Sequence, residues 1–223
     1  MGEIFQTLVD GMTSLTHWLY GLTVTIGLPS YALAIILLTI LIKLVLFPLT
    51  HKQMTSMKRM AEIQPKIKEI QEKYKGKDPQ KMQQKIMEVY KENNVNPMAG
   101  CLPILIQMPI LIALYRSLLH IKFLDPQHAG FFWIKTLSAH DPYYILPVLA
   151  GITTYMQSKL TTSTTDQTQR MMLYMMPVFI AWISTTVPAG LVLYWVTFNI
   201  LGYAQQILVN KQVEQIKEGA PSK

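Results

Sequence analysis

The sequence predicts an all-α polytopic membrane protein. Three observations predict it. Half of the 223 residues are hydrophobic and only 15% are charged, where a soluble domain carries roughly 25% charged residues. The charges crowd between residues 50 and 96 and nearly vanish from several long stretches. Lysine and arginine also fall overwhelmingly on one side of the apolar segments, as the order of elements below makes plain.

Residues 3 to about 22 set Ile4, Phe5, Leu8, Val9, Met12, Leu15, Trp18, Leu19 and Leu22 at three- and four-residue spacings. This is an amphipathic helix suited to lie in a membrane interface. The start, "MGEIFQTLVD", is acidic and lacks the basic opening and compact apolar core of a signal peptide. Gly27 and Pro29 break the helix, so residues 1–29 form an extracytoplasmic amphipathic helix and linker. Residues 30–49 are the first transmembrane helix, close to the roughly 20 residues that a bilayer core requires.

Residues 50–96 read as a cytoplasmic helical hairpin. Met57, Met60, Ile63, Ile67, Ile70 and Tyr74 recur helically, with Glu62–Lys66 and Glu69–Lys73 spaced as i,i+4 pairs. In "GKDP", Gly76 stops one helix, Asp78 caps the next and Pro79 takes its first position. Pro65 is expected to kink the first arm. Residues 97–210 hold four further spans, near Leu102–Leu119, Tyr143–Gln157, Met171–Val187 and Gly190–Val209, and residues 211–223 form a short cytoplasmic tail. The second of these four is short, which fits a locally thin bilayer or an upright helix. Five spans put the termini on opposite sides, and sixteen of the twenty basic residues lie on the hairpin side. The positive-inside rule therefore places the hairpin and C-terminus in the cytoplasm and the N-terminus outside.

Several function classes have no support. The single cysteine, Cys101, excludes an intramolecular disulfide framework. No Walker loop, metal-ligand spacing, nucleophile–base pair or nucleic-acid motif is present, so no cofactor, no metal site and no nucleotide hydrolysis are expected. The mixed charge of the hairpin, eleven basic against six acidic residues, reads first as a solvated face and next as a contact for anionic lipid.

Lys43 stands out. A charge near mid-membrane costs about 2.5–3.5 kcal/mol on the insertion scale. One reading is a side chain snorkelling to the nearby interface. The other joins it to Thr39, four residues earlier on the same helix face, in a polar stripe turned to a cavity. No Asp or Glu occurs in any span, so Lys43 has no carboxylate partner within them. Gln107, Gln157, Asn199, Gln205 and Gln206, with Trp195, are further polar or amphipathic groups in the spans. Singly they read as interhelical glue; together with Thr39 and Lys43 they line a half-hydrated groove.

The blocks "LIKLVLFPLTHKQMTSMKRMAEIQPKIKEI", "VNPMAGCLPILIQMPILIALY", "DPYYILPVLAGITTYMQSKL" and "PAGLVLYWVTFNILGYAQQ" closely resemble the YidC/Oxa/Alb family of membrane protein insertases, in order from about residue 30 to 210. The likeness is to members without a large external domain. The resemblance implies five core helices around a polar groove open to the cytoplasm. The family's groove cation, commonly arginine, falls on Lys43; polar groove positions fall on Thr39 and Gln157, and an aromatic one on Trp195. The implied activity is insertion and folding of small membrane proteins, a short acidic external segment passing through the groove. The implied partners are client membrane proteins with such tails and anionic lipids, with the Sec translocon and ribosome as further candidates. The working unit would be a monomer in the bacterial plasma membrane. A solute or ion transporter using Lys43 as its binding charge is the rival reading; the odd number of spans and the lack of an inverted repeat weigh against it.

Overall fold

The computed structural model describes residues 2–96, 102–161 and 167–218. Among these it is all helical: α1 (Gly2–Thr25), α2 (Tyr31–Tyr74), α3 (Pro79–Glu92), α4 (Leu102–His120), α5 (Ile145–Thr161), α6 (Gln167–Ile183) and α7 (Ala189–Glu218). A single 3-10 turn, Pro126–His128, lies in the loop after α4.

The helix ends follow from local chemistry. After α1 the chain reverses at Gly27, whose φ of 77° suits a residue without Cβ. Ser30 then caps α2, its hydroxyl accepting from the Leu33 N–H at 3.3 Å. Asp78 caps α3 the same way, accepting from the Lys81 N–H at 3.0 Å, with Pro79 at the first helical position.

One boundary differs from the compositional one. The change from apolar to charged sequence near residue 50 is not a helix end, because α2 runs unbroken for 44 residues through both Pro48 and Pro65. Composition marks where the surroundings change, whereas backbone hydrogen bonding mostly continues past an isolated proline. α3 folds back on the distal part of α2 around a small core of Ile63, Ile67, Ile86 and Val95. On the hairpin surface Lys68 pairs with Glu72 and Lys85 with Glu88.

The main core lies in the half of the bundle away from the hairpin. Tyr31, Ile35 and Leu38 of α2, Leu114 and Leu118 of α4, Leu137 of the loop and Val192 and Tyr194 of α7 are essentially inaccessible there. α7 runs between α2 and α5; α6 packs on α5, and α1 lies across α2 and α4. The loop 121–144 closes this end. Its Ala139 and Leu137 carbonyls accept the N–H groups of Ala189 and Gly190 at the start of α7, at 2.7 and 2.9 Å. Asp141, buried in the same loop, accepts from the Trp133 indole N–H and from the backbone N–H groups of Tyr143 and Leu146. It thereby anchors the loop and caps the approach to α5.

The outer surface of the helices is apolar. Leu44, Val45, Leu105, Val148, Met175, Val178, Trp182 and Leu208 are all exposed, a pattern that water would penalise and lipid would not. Tyr31–Tyr74 and Ala189–Lys211 are long and apolar enough to cross a membrane by length and composition. α5 and α6 have 17 residues each, about 26 Å at 1.5 Å per residue.

Candidate functional site

Toward the hairpin the packed core gives way to a cavity of about 340 Å³. Five helices contribute to it. α2 supplies Leu46, Leu49, Thr50 and Gln53; α4 supplies Ile106, Gln107, Met108 and Leu111; α5 supplies Thr154; α6 supplies Met176, Phe179 and Ile180; α7 supplies Trp195, Phe198 and Asn199. The walls are mostly apolar, with polar groups set at intervals among them.

Most of those polar groups are partnered. Gln107 Nε2 donates to the Tyr194 hydroxyl at 2.6 Å. Gln205 Nε2 donates to Thr50 Oγ1 at 2.9 Å, tying α7 to α2 at the hairpin end. Asn199, with its amide oriented to suit its neighbours, accepts from Trp195 Nε1 at 3.2 Å and Thr154 Oγ1 at 2.8 Å and donates to Gln157 Oε1 at 2.8 Å. Gln53 Nε2 is the exception, a buried donor with no acceptor.

Behind the Trp195–Asn199 face sits Lys43, only 7% exposed. Its Nζ lies 3.8 Å from the centroid of the Phe198 ring, close enough for the ring's negative face to offset part of the desolvation cost. No carboxylate among the described residues reaches it, and none of them supplies it a hydrogen-bond acceptor. Gly202 makes the space: a Cβ there would stand 3.2 Å from Lys43 Nζ and in hard contact with Gln157 Nε2. Because Asn199 occupies the Gln157 carbonyl, the Gln157 amide NH₂ and the Lys43 ammonium converge over one glycine as donors without an acceptor among the described residues. Such a nook is complementary to a carboxylate or a carbonyl oxygen.

The residues singled out from sequence are therefore distributed as follows. Trp195 and Asn199 line the cavity, and Lys43 and Gln157 adjoin it from the Gly202 side. Thr39 stands apart: it is fully buried, its hydroxyl donates to its own Ile35 carbonyl at 2.7 Å, and it does not line the cavity. Phe198, Thr154, Thr50 and Gln53 were not foreseen. The two threonines carry a usable signal, Thr50 lying seven residues after Lys43 on the same helix face and Thr154 three before Gln157. Phe198 carries none, since an apolar residue in a span looks the same whether it faces lipid or a cation.

The family model described as the 60Kd inner membrane protein matches residues 21–217. The chain belongs to that family. "Membrane protein insertase YidC" of Wolinella succinogenes is 45% identical to it over 213 residues, covering 94% of the chain and 38% of the relative. The protein of the same name from Haemophilus influenzae strain Rd is 47% identical over 188 residues, covering 83% and 34%. A crystal structure described as an active YidC insertase with its first transmembrane domain resolved superposes with a TM-score of 0.70 at 30% identity, covering 90% of this chain and 45% of that one. The chain thus spans little more than a third of the length of its curated YidC relatives. Within that span the family supplies the YidC fold and a place in a bacterial membrane.

Proposed function

We propose that the chain is a membrane protein insertase, and that Lys43 with Gln157 receives an acidic residue of the client's leading segment. The observation that carries this reading is the pair of donors, Lys43 and Gln157, that converge over Gly202 without an acceptor among the described residues, next to the Phe198 and Asn199 wall of a cavity that lies toward the hairpin. α2, α4, α5, α6 and α7 are the five spans, with the hairpin and C-terminus cytoplasmic and α1 at the outer interface. The basic residues gathered on the hairpin side support this orientation.

The mechanism follows from where the penalties fall. A polar segment crossing a bilayer meets its steepest cost where backbone and charge lose water. A cavity reaching part of the way from the cytoplasm shortens that path, leaving the packed half around Tyr31, Leu118 and Leu137 as the remaining barrier. The client's acid rests on Lys43 while its following apolar segment enters lipid along the exposed surface. A membrane potential positive outside then favours the acid's exit by about 2.3 kcal/mol per charge per 100 mV. Lysine suits a transient contact, being a mobile point charge without the two-pronged grip of arginine. No nucleotide is consumed. Clients carry one or two spans and short, mildly acidic external tails, and anionic lipids contact the basic hairpin. The Sec translocon and the ribosome are further partners of the same process, and the working unit is a monomer.

The test is reconstitution of the full chain in liposomes with a short acidic-tailed client, scored by protease protection against protein-free liposomes. Lys43→Arg retains insertion, Lys43→Ala reduces it and Lys43→Glu is lowest. Equal insertion by all three removes the groove-charge role.

A further inference from the structure

α1 and α4 border two further open cavities that share no lining residue with the one described above. One, of about 470 Å³, lies within the range of small-ligand sites, roughly 300–1,000 Å³. It sets Gln6, Asp10 and Thr13 of α1 against Arg116, Ser117 and His120 of α4. The Thr13 and Ser117 hydroxyls meet at 2.7 Å and fix the two helices together. The other, of about 880 Å³, is lined by Phe5, Leu8, Met12 and Leu15 of α1 and by Pro109 of α4, and is almost wholly apolar. Arg116 links the two: it lines the polar cavity while its guanidinium lies 5.0 Å from the centroid of Phe5, a wall of the apolar one.

The charges in the polar cavity are unusual in one respect. Arg116 and Asp10 share it, yet they form no ion pair with each other. Asp10 accepts only the side-chain amide of Gln6, at 3.1 Å, which leaves carboxylate lone pairs open. The site therefore offers a cation and an anion separately, beside an apolar trough. An isolated anion would gain at Arg116 and lose at Asp10. A zwitterion with a hydrocarbon tail satisfies all three surfaces.

We propose that this is a binding site for phosphatidylethanolamine of the outer leaflet. The lipid phosphate sits on Arg116, with His120 as a second donor, the primary ammonium donates to Asp10, and an acyl chain occupies the trough along Phe5, Leu8 and Met12. A choline headgroup has no N–H to give Asp10, and a glycerol headgroup has no cation at all. The site rests on the reading above that α1 lies at the outer interface; its ligand selectivity does not depend on insertase activity.

The experiment is native mass spectrometry of the purified full chain after equilibration with mixed micelles holding equal amounts of phosphatidylethanolamine, phosphatidylcholine and phosphatidylglycerol. Retained phosphatidylethanolamine should exceed each of the others about fivefold, the scale of one hydrogen-bonded charge. Asp10→Asn should erase the advantage over phosphatidylcholine, Asp10→Glu should keep it, and Arg116→Gln should lower retention of all three. Free phosphoethanolamine, which has no chain for the trough, should not displace the lipid at equal concentration. Equal retention of the three lipids overturns the site, as does a preference that survives Asp10→Asn in protein with unchanged thermal unfolding, or displacement by the free headgroup. Failed insertion in liposomes with this preference intact would remove the insertase reading and leave the lipid site standing.

Discussion

The Lys43 ammonium lies 3.8 Å from the centre of the Phe198 ring, and Phe198 in turn lines the cavity. An aromatic face thus stands where a carboxylate would be expected beside a buried lysine. The ring offsets part of the lysine's desolvation without engaging its N–H donors, as an ion pair would.

That relationship is measurable. A double-mutant cycle of Lys43→Met and Phe198→Leu, followed by unfolding in mild detergent, should return a coupling of about 0.5–2 kcal/mol. Phe198→Tyr should retain most of it. A coupling near zero would mean that the two groups are neighbours without interacting.

Gly202→Ala separates function from stability. The nearest groups to the added methyl are the amide end of Gln157 and the Lys43 ammonium, the ends of two long side chains rather than backbone. Its cost should stay below the roughly 1–3 kcal/mol of a rigidly overpacked core. Insertion of an acidic-tailed client should nevertheless fall toward the level of Lys43→Ala. Wild-type insertion by Gly202→Ala would show that the convergence of the two donors is not required.

Asp141 holds the loop 121–144 through three N–H groups at 2.7 to 3.0 Å. Asp141→Ala orphans all three and should cost about 3 kcal/mol in thermal unfolding of the detergent-solubilised protein, with Asp141→Asn costing less. Indole fluorescence from Trp133 should report the loosening. A loss under roughly 0.5 kcal/mol, the scale of an ordinary surface change, would show that the loop stands without this anchor.

His17 on α1 hydrogen-bonds Tyr31 at 3.0 Å, and partial burial holds its imidazole below the ordinary value of 6.5. The Tyr31 hydroxyl also accepts from the Leu124 N–H, and its proton is available to Nδ1 of the neutral imidazole. The unfolded chain then takes up the proton more readily than the native one, and stability falls as pH drops through about 6.5. His17→Gln should flatten this slope between pH 7 and 5. An unchanged slope would place the titrating group elsewhere.

How much of this was legible in the sequence depends on whether a feature is local. The apolar segments that become α4 to α6, the Gly76–Pro79 turn and the amphipathic α1 rest on spacing and capping, and those helices begin and end close to where the signals stand, whereas α7 runs on past Val209 to Glu218 because the helix continues where the apolar composition stops. The all-helical YidC fold follows from the order of those segments. The continuity of α2 past residue 50 was not legible, because the composition changes there while the hydrogen-bonding pattern does not. Of the groove residues, polarity picked out Trp195 and Asn199 at the cavity and Lys43 and Gln157 beside it. It also picked out Thr39, whose hydroxyl is satisfied by its own helix and needs no cavity. Phe198 and Gly202 escaped because their roles, a π face and a missing side chain, exist only relative to residues on other helices, Lys43 and Gln157. Asp141 had a local signal, a lone acid four residues before Ile145, but its Trp133 contact did not.

The unbroken course of α2 has a mechanical meaning. Its 44 residues form a rod of about 66 Å, with Lys43 near one third of the way along and the hairpin core at the far end. Any load that tilts the hairpin is delivered to the wall of the groove without an intervening linker. Pro48, five residues beyond Lys43, is the natural fulcrum, since it deprives the Leu44 carbonyl of its helical donor. A hairpin under load is thereby a lever arm whose short end carries the charge.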